Sequence, residues 1–95
     1  MLKFLVYLDN KVIAIRFNSK KKQLVVGGHF SAEQEIRVIA REYFGRTITR
    51  VAWVQANKLR LNFQCDIETF EMGKNKLENQ GISFEAVKSF GRIMR

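Results

Sequence analysis

No proline interrupts this 95-residue chain, and no low-complexity tract divides it, so the sequence offers no linker and is read as a single domain, 1–95. Cys65 is the only cysteine, which excludes an internal disulfide and a cysteine-rich metal site. The lone histidine, His29, together with Cys65 and Asp66 falls short of the three or four ligands a metal centre needs. Neither a metal nor any other cofactor is expected. Long apolar runs are also missing. The greasy start, Met1 to Leu8, stops at Asp9-Asn10-Lys11, too early for a signal peptide or a membrane span. The expectation is a cytoplasmic protein without membrane insertion.

Acidic residues are scarce. Nine Asp/Glu stand against seventeen Lys/Arg, giving a formal charge of +8 and a pI near 10.1. Such a balance speaks about partners and not about fold: a small basic domain meets RNA, DNA or an anionic membrane surface, and less often an acidic protein patch. The excess is uneven, since residues 1–50 hold ten Lys/Arg against four Asp/Glu, and residues 51–95 hold seven against five.

What is present is enough for a core. Apolar residues make up 46% of the chain and aromatics 12%, which rules out disorder. Leu2, Phe4, Val6 and Leu8 alternate with Lys3, Leu5 and Tyr7, and Ile13, Ile15 and Phe17 resume the pattern after Asp9-Asn10. A two-residue turn there pairs Val6 with Ile13, Phe4 with Ile15 and Leu2 with Phe17. Asn18 to Lys22 is a polar turn, and Gln23 to Val26 a short strand closed by Gly27-Gly28. Ser31 and Gln34 have capping-box spacing, and Ile36, Ile39, Ala40, Tyr43 and Phe44 recur at helical intervals up to a stop at Gly45.

Ile48 to Val54 and Leu59 to Phe63 read as strands joined near Ala56-Asn57. Asp66 caps a second helix with Ile67, Phe70 and Leu77 inward and Gly73 marking a close helix–sheet approach, and Gly81 ends it. Ile82, Phe84 and Ala86 begin a last strand. The class is therefore α+β: a mostly antiparallel sheet with two helices on one face, in the order β-β-β-α-β-β-α-β. Its last six elements spell the split βαβ of ferredoxin-like sheets, preceded by an N-terminal hairpin, with the other face of the sheet left open or covered by that hairpin.

Function is read from side chains, because this element order serves many unrelated activities. With an even turn, Trp53 falls opposite Arg60, Val51 opposite Asn62 and Gln55 opposite Lys58. That parity sets Trp53 among Lys58, Arg60 and Asn62, a platform on which unpaired bases stack; an odd turn sends Trp53 to the core. Lys20, Lys21 and Lys22 sit at a turn tip where they reach phosphates, and Arg50 adds to a strip with Arg37, Arg41 and Arg46. Part of that strip is spent internally, because Glu33 precedes Arg37 by four residues.

Gly28, His29 and Ser31, between a strand and a helix N-terminus, form a candidate anion site, although the spacing matches neither the P-loop nor the dinucleotide pattern. The plain account is a strand-to-helix corner eased by glycine. No catalytic residue is assigned. A small ribonuclease built on His29 with Tyr43 or Tyr7 lacks any supporting spacing. The expectation is a non-catalytic nucleic-acid-binding module for single-stranded RNA or DNA. The alternative is a protein-interaction domain, an inhibitor, adaptor or assembly subunit, that docks on an acidic partner. The second face of the hairpin, Leu5, Tyr7 and Val12, is an apolar patch that a partner or a homodimer would cover.

Overall fold

Alternating side chains and two left-handed turn residues build the N-terminal hairpin. β1 (Leu2–Leu8) and β2 (Lys11–Asn18) pair antiparallel with Val6 level with Ile13, Phe4 with Ile15 and Leu2 with Phe17, the register expected from the sequence. Asp9 (φ 51°) and Asn10 (φ 62°) both take the positive φ that a type I′ hairpin turn requires, and short polar side chains tolerate it best. The computed structural model describes residues 1–45, 52–55 and 57–91, with 52–55 given by their backbone.

The chain then adds β3 (Gln23–His29), a 3₁₀ turn over Phe30–Ala32, α1 (Glu33–Val38) and a π-helical turn over Ile39–Tyr43. β4 (Ala52–Gln55), β5 (Lys58–Gln64), α2 (Ile67–Asn79) and the two-residue β6 (Glu85–Ala86) follow. The strands form one antiparallel sheet in the order β4-β5-β3-β2-β1-β6. The α+β class with an antiparallel sheet and two helices is thus observed.

The expected ferredoxin-like arrangement is not what the sheet adopts. β5 does lie between β3 and β4, but β6 pairs with β1 and not with β3. β2 reaches β3 through a four-residue turn, and so short a connection closes at small entropic cost. The hairpin therefore occupies the free edge of β3, and the returning chain must cross three strands. It extends the sheet and does not cover its other face.

Both helices share one core on one face of the sheet. Ile36, Ile39, Ala40 and Phe44 from the first helical segment and Phe70 and Leu77 from α2 pack with Val6, Ile13, Ile15, Phe17, Leu24, Val26, Leu59 and Leu61. Phe17 and Phe70 stack nearly parallel with centroids 4.3 Å apart. Gly73 marks a close approach, but to the other helical segment: a Cβ there would run into the Phe44 ring and the Tyr43 carbonyl oxygen. Ile67, expected inward, is 52% exposed, since it belongs to the first turn, where the chain is still leaving β5.

The ends of the helices partly follow expectation. Asp66 accepts the Thr69 N–H at 2.8 Å, and Gly45 and Gly81 adopt positive φ where the helices stop. The Ser31–Gln34 capping box does not form. His29 Nδ1 takes the Ser31 N–H at 3.2 Å, and the Ser31 hydroxyl turns to the same nitrogen at 2.9 Å. Among the described residues no helix is long and apolar enough to cross a membrane.

Candidate nucleic-acid interface

Strand parity divides the sheet cleanly. Leu24, Val26 and Gly28 of β3 face the helices, so Gln23, Val25, Gly27 and His29 belong to the opposite face. The register carries this across the sheet. Lys3, Arg16, Val25 and Asn62 lie in one row, Leu5, Ala14, Gly27 and Arg60 in the next, and His29 is level with Lys58. The face therefore carries Lys3, Arg16, Lys58 and Arg60 around Ala14, Val25 and Gly27, which are themselves buried. All four cations are half-buried, and the Lys3 ammonium donates to the Lys88 carbonyl oxygen at 3.3 Å.

The electrostatics are one-sided. Strands β1 to β5 and the turn 19–22 carry Lys3, Lys11, Arg16, Lys20, Lys21, Lys22, Lys58 and Arg60, and no Asp or Glu. The helical segments at 30–45 and 67–79 carry six carboxylates, Glu33, Glu35, Glu42, Glu68, Glu71 and Glu78, against Arg37, Arg41, Lys74 and Lys76. Those charges also pair locally, Arg37 with Glu33 at 2.9 Å and Lys74 with Glu78 at 3.5 Å. Lys3 and Arg16 sit directly opposite each other, and like charges in that position cost stability unless an anion meets them.

Two hollows open at the end of this face near the β2–β3 turn. One, about 390 Å³, is lined by Lys21, Gln23, Asn62, Phe63 and Gln64. The other, about 150 Å³, brings Arg16, Asn18 and Val25 around the same Lys21 and Gln23, with Met1 at its side. Of the lysine run, Lys21 thus lies between both hollows, and Lys20 and Lys22 are exposed on the turn. The turn is held in shape: Asn18 Oδ1 accepts the Lys21 N–H at 3.1 Å, and the Lys22 carbonyl accepts the Cys65 N–H at 2.8 Å.

Other expected site residues are placed differently. The β4–β5 register is irregular: Gln55 is level with Lys58 as expected, but Trp53 is level with Leu59, a core residue, and Ala52 with Arg60. The irregularity between Trp53 and Gln55 shifts the ladder by one, so the pairing that set Trp53 opposite Arg60 is not made. The Trp53 side chain, Arg46 and Arg50 lie outside the described residues. At Gly28, His29 and Ser31 the candidate anion donor is already engaged, because the Ser31 N–H goes to His29. Gly28 serves packing instead, with the Val12 carbonyl oxygen 3.2 Å and Ile36 Cδ1 3.6 Å from where its Cβ would stand.

Reading the sequence for site residues missed Lys3, Arg16 and Phe30. The hairpin register already contained the first two, since pairing Phe4 with Ile15 makes Lys3 the partner of Arg16. Phe30, 46% exposed, had no signal in periodicity, because it follows the strand at a corner. Its ring lies 4.5 Å from that of His29 at 36°. Tyr7, 55% exposed, stands on the same sheet face beside half-buried Leu5 and Val12. Among the described residues no three His, Cys, Asp or Glu gather as a metal site.

Compared with known proteins, the chain matches no family model, no curated protein and no solved structure.

Proposed function

We propose that this protein is a small nucleic-acid-binding module, a binder and not an enzyme, that takes single-stranded RNA or DNA on the sheet face turned away from its helices. The observation that carries the reading is the charge partition: five neighbouring strands without one carboxylate, backed by a helical layer in which acids outnumber bases. A sheet face edged by cations suits a flexible phosphate backbone. Neither helix carries enough positive charge to act as a recognition helix in a duplex groove. Lys21, Lys58, Arg60, Lys3 and Arg16 supply the phosphate contacts, and Asn62, Gln64 and Gln23 offer amide donors and acceptors within the hollows.

The test is binding of a fluorescent single-stranded oligonucleotide across a salt series. Affinity should fall steeply with salt, by roughly 0.7 log–log units per phosphate contacted. Reversing Lys58 and Arg60 to Glu should weaken binding and flatten the slope by about 1.4, two phosphate contacts at that rate. An unchanged affinity and slope in that variant would remove the reading.

A second reading is favoured by the apolar corner of Tyr7, Leu5 and Val12 on this face: docking on an acidic protein surface, or closure by a second copy of the chain. Sedimentation of the free protein separates the homodimer from the monomer, and Tyr7→Lys should abolish an association that depends on that corner.

A further inference from the structure

The exposed aromatic pair at the end of β3 carries a more specific statement. Two rings meet there, one held by its side chain and the other carried on a tethered backbone. His29 Nδ1 accepts the Ser31 N–H at 3.2 Å and meets the Ser31 hydroxyl at 2.9 Å, which locks the imidazole. The Phe30 backbone N–H donates to the Asn57 carbonyl oxygen at 2.8 Å, which ties the corner to the start of β5. The rings lie 4.5 Å apart, and Phe30 keeps 46% of its surface in water. In the neutral tautomer that lets Nδ1 accept, the ring proton is on Nε2. Lys58 pairs with His29 across the ladder, Arg60 follows two residues on, and β1 to β5 hold no carboxylate to repel an anion.

A flat, half-exposed ring beside a cross-strand ammonium matches what an unpaired base and its phosphate present. We infer that the His29–Phe30 corner is a stacking ledge for one unpaired base, with Lys58 taking the adjoining phosphate. The inference rests on the reading that the sheet face binds single-stranded nucleic acid. It does not use the helix N-terminus, whose Ser31 N–H is already satisfied.

The experiment compares a short oligothymidylate with an abasic strand of equal length, for the wild type and for Phe30→Ala, Phe30→Leu and Phe30→Trp. Phe30 is exposed enough to be replaced without opening the core, and leucine keeps apolar bulk while removing the flat ring. The ledge predicts that Phe30→Ala and Phe30→Leu weaken oligothymidylate binding by ~5- to 150-fold, the range for loss of one stacked base. Affinity for the abasic strand should not move, and Phe30→Trp should bind as well as the wild type. If neither small variant affects oligothymidylate, and Lys58→Glu with Arg60→Glu does, the ledge is wrong and the sheet-face reading stands. An equal loss on both strands makes Phe30 a structural residue and also overturns the ledge. A wild-type protein that binds neither strand removes both statements.

Discussion

At Gly73 the separation of the two helical segments is decided by one missing carbon. A helical glycine replaced by alanine ordinarily gains about 1 kcal/mol from backbone entropy. Here the new Cβ meets the Tyr43 carbonyl oxygen, which belongs to the backbone, and the Phe44 ring, whose centroid is already 6.1 Å from that of Phe70. Neither neighbour is the free end of a flexible chain. Overpacking of this kind costs roughly 1–3 kcal/mol and outweighs the propensity gain. Gly73→Ala should therefore lower the urea midpoint. A midpoint at or above wild type would mean that the two segments separate easily. Phe30 is the opposite case, a large side chain left in water and open to substitution.

At the scale of elements, the two helices differ in how they begin. α2 has an orthodox start, with Asp66 Oδ1 on the Thr69 N–H at 2.8 Å, and Asp66→Ala should cost about 1 kcal/mol, read from equilibrium unfolding. No measurable change would mean that the tertiary contacts of Phe70 and Leu77 hold the first turn unaided. The first segment begins with a histidine in the capping role, passes through a 3₁₀ turn and six α-helical residues, and ends in a π-helical turn. Such changes of pitch rotate side chains away from simple 3.6-residue spacing and let Ile36, Ile39, Ala40 and Phe44 all reach one core. Phe30 is left at the corner as a consequence.

On the scale of the whole molecule, charge is separated by layer. The sheet face repels itself: Lys3 lies opposite Arg16, and Lys58 and Arg60 share a strand without an intervening acid. Self-repulsion lowers the stability of the compact state, and salt screens it, with a Debye length that falls from about 30 Å at 0.01 M to about 10 Å at 0.1 M. The free protein should therefore melt at a higher temperature as sodium chloride rises through that range, and oligonucleotide affinity should fall over the same range. A melting temperature that drops with added salt would show that the local pairs, Arg37–Glu33 and Lys74–Glu78, dominate the charge balance.

Local information was strongest where short-range rules apply. The hairpin register, the Asp66 cap, the Gly45 and Gly81 stops and the inward Phe70 and Leu77 were all legible in the sequence. Each depends on strand alternation, a capping side chain, positive φ or helical spacing within a few residues. The sheet order was not legible, because β6 has two edges it could join and its pairing with β1 is a contact between distant segments. The same limit governs the site. Sequence alone determined that the protein is strongly basic, where its lysines cluster, and that the hairpin carries Lys3 against Arg16. Only the tertiary structure decided that β3 lies between β2 and β5, which brings Arg16 and Arg60 onto one face. It also set Trp53 level with Leu59 through an irregular ladder and left His29 and Phe30 together and exposed beside Lys58. Those outcomes depend on pairings between distant segments, and no local propensity encodes which strand edge remains free when a chain segment returns.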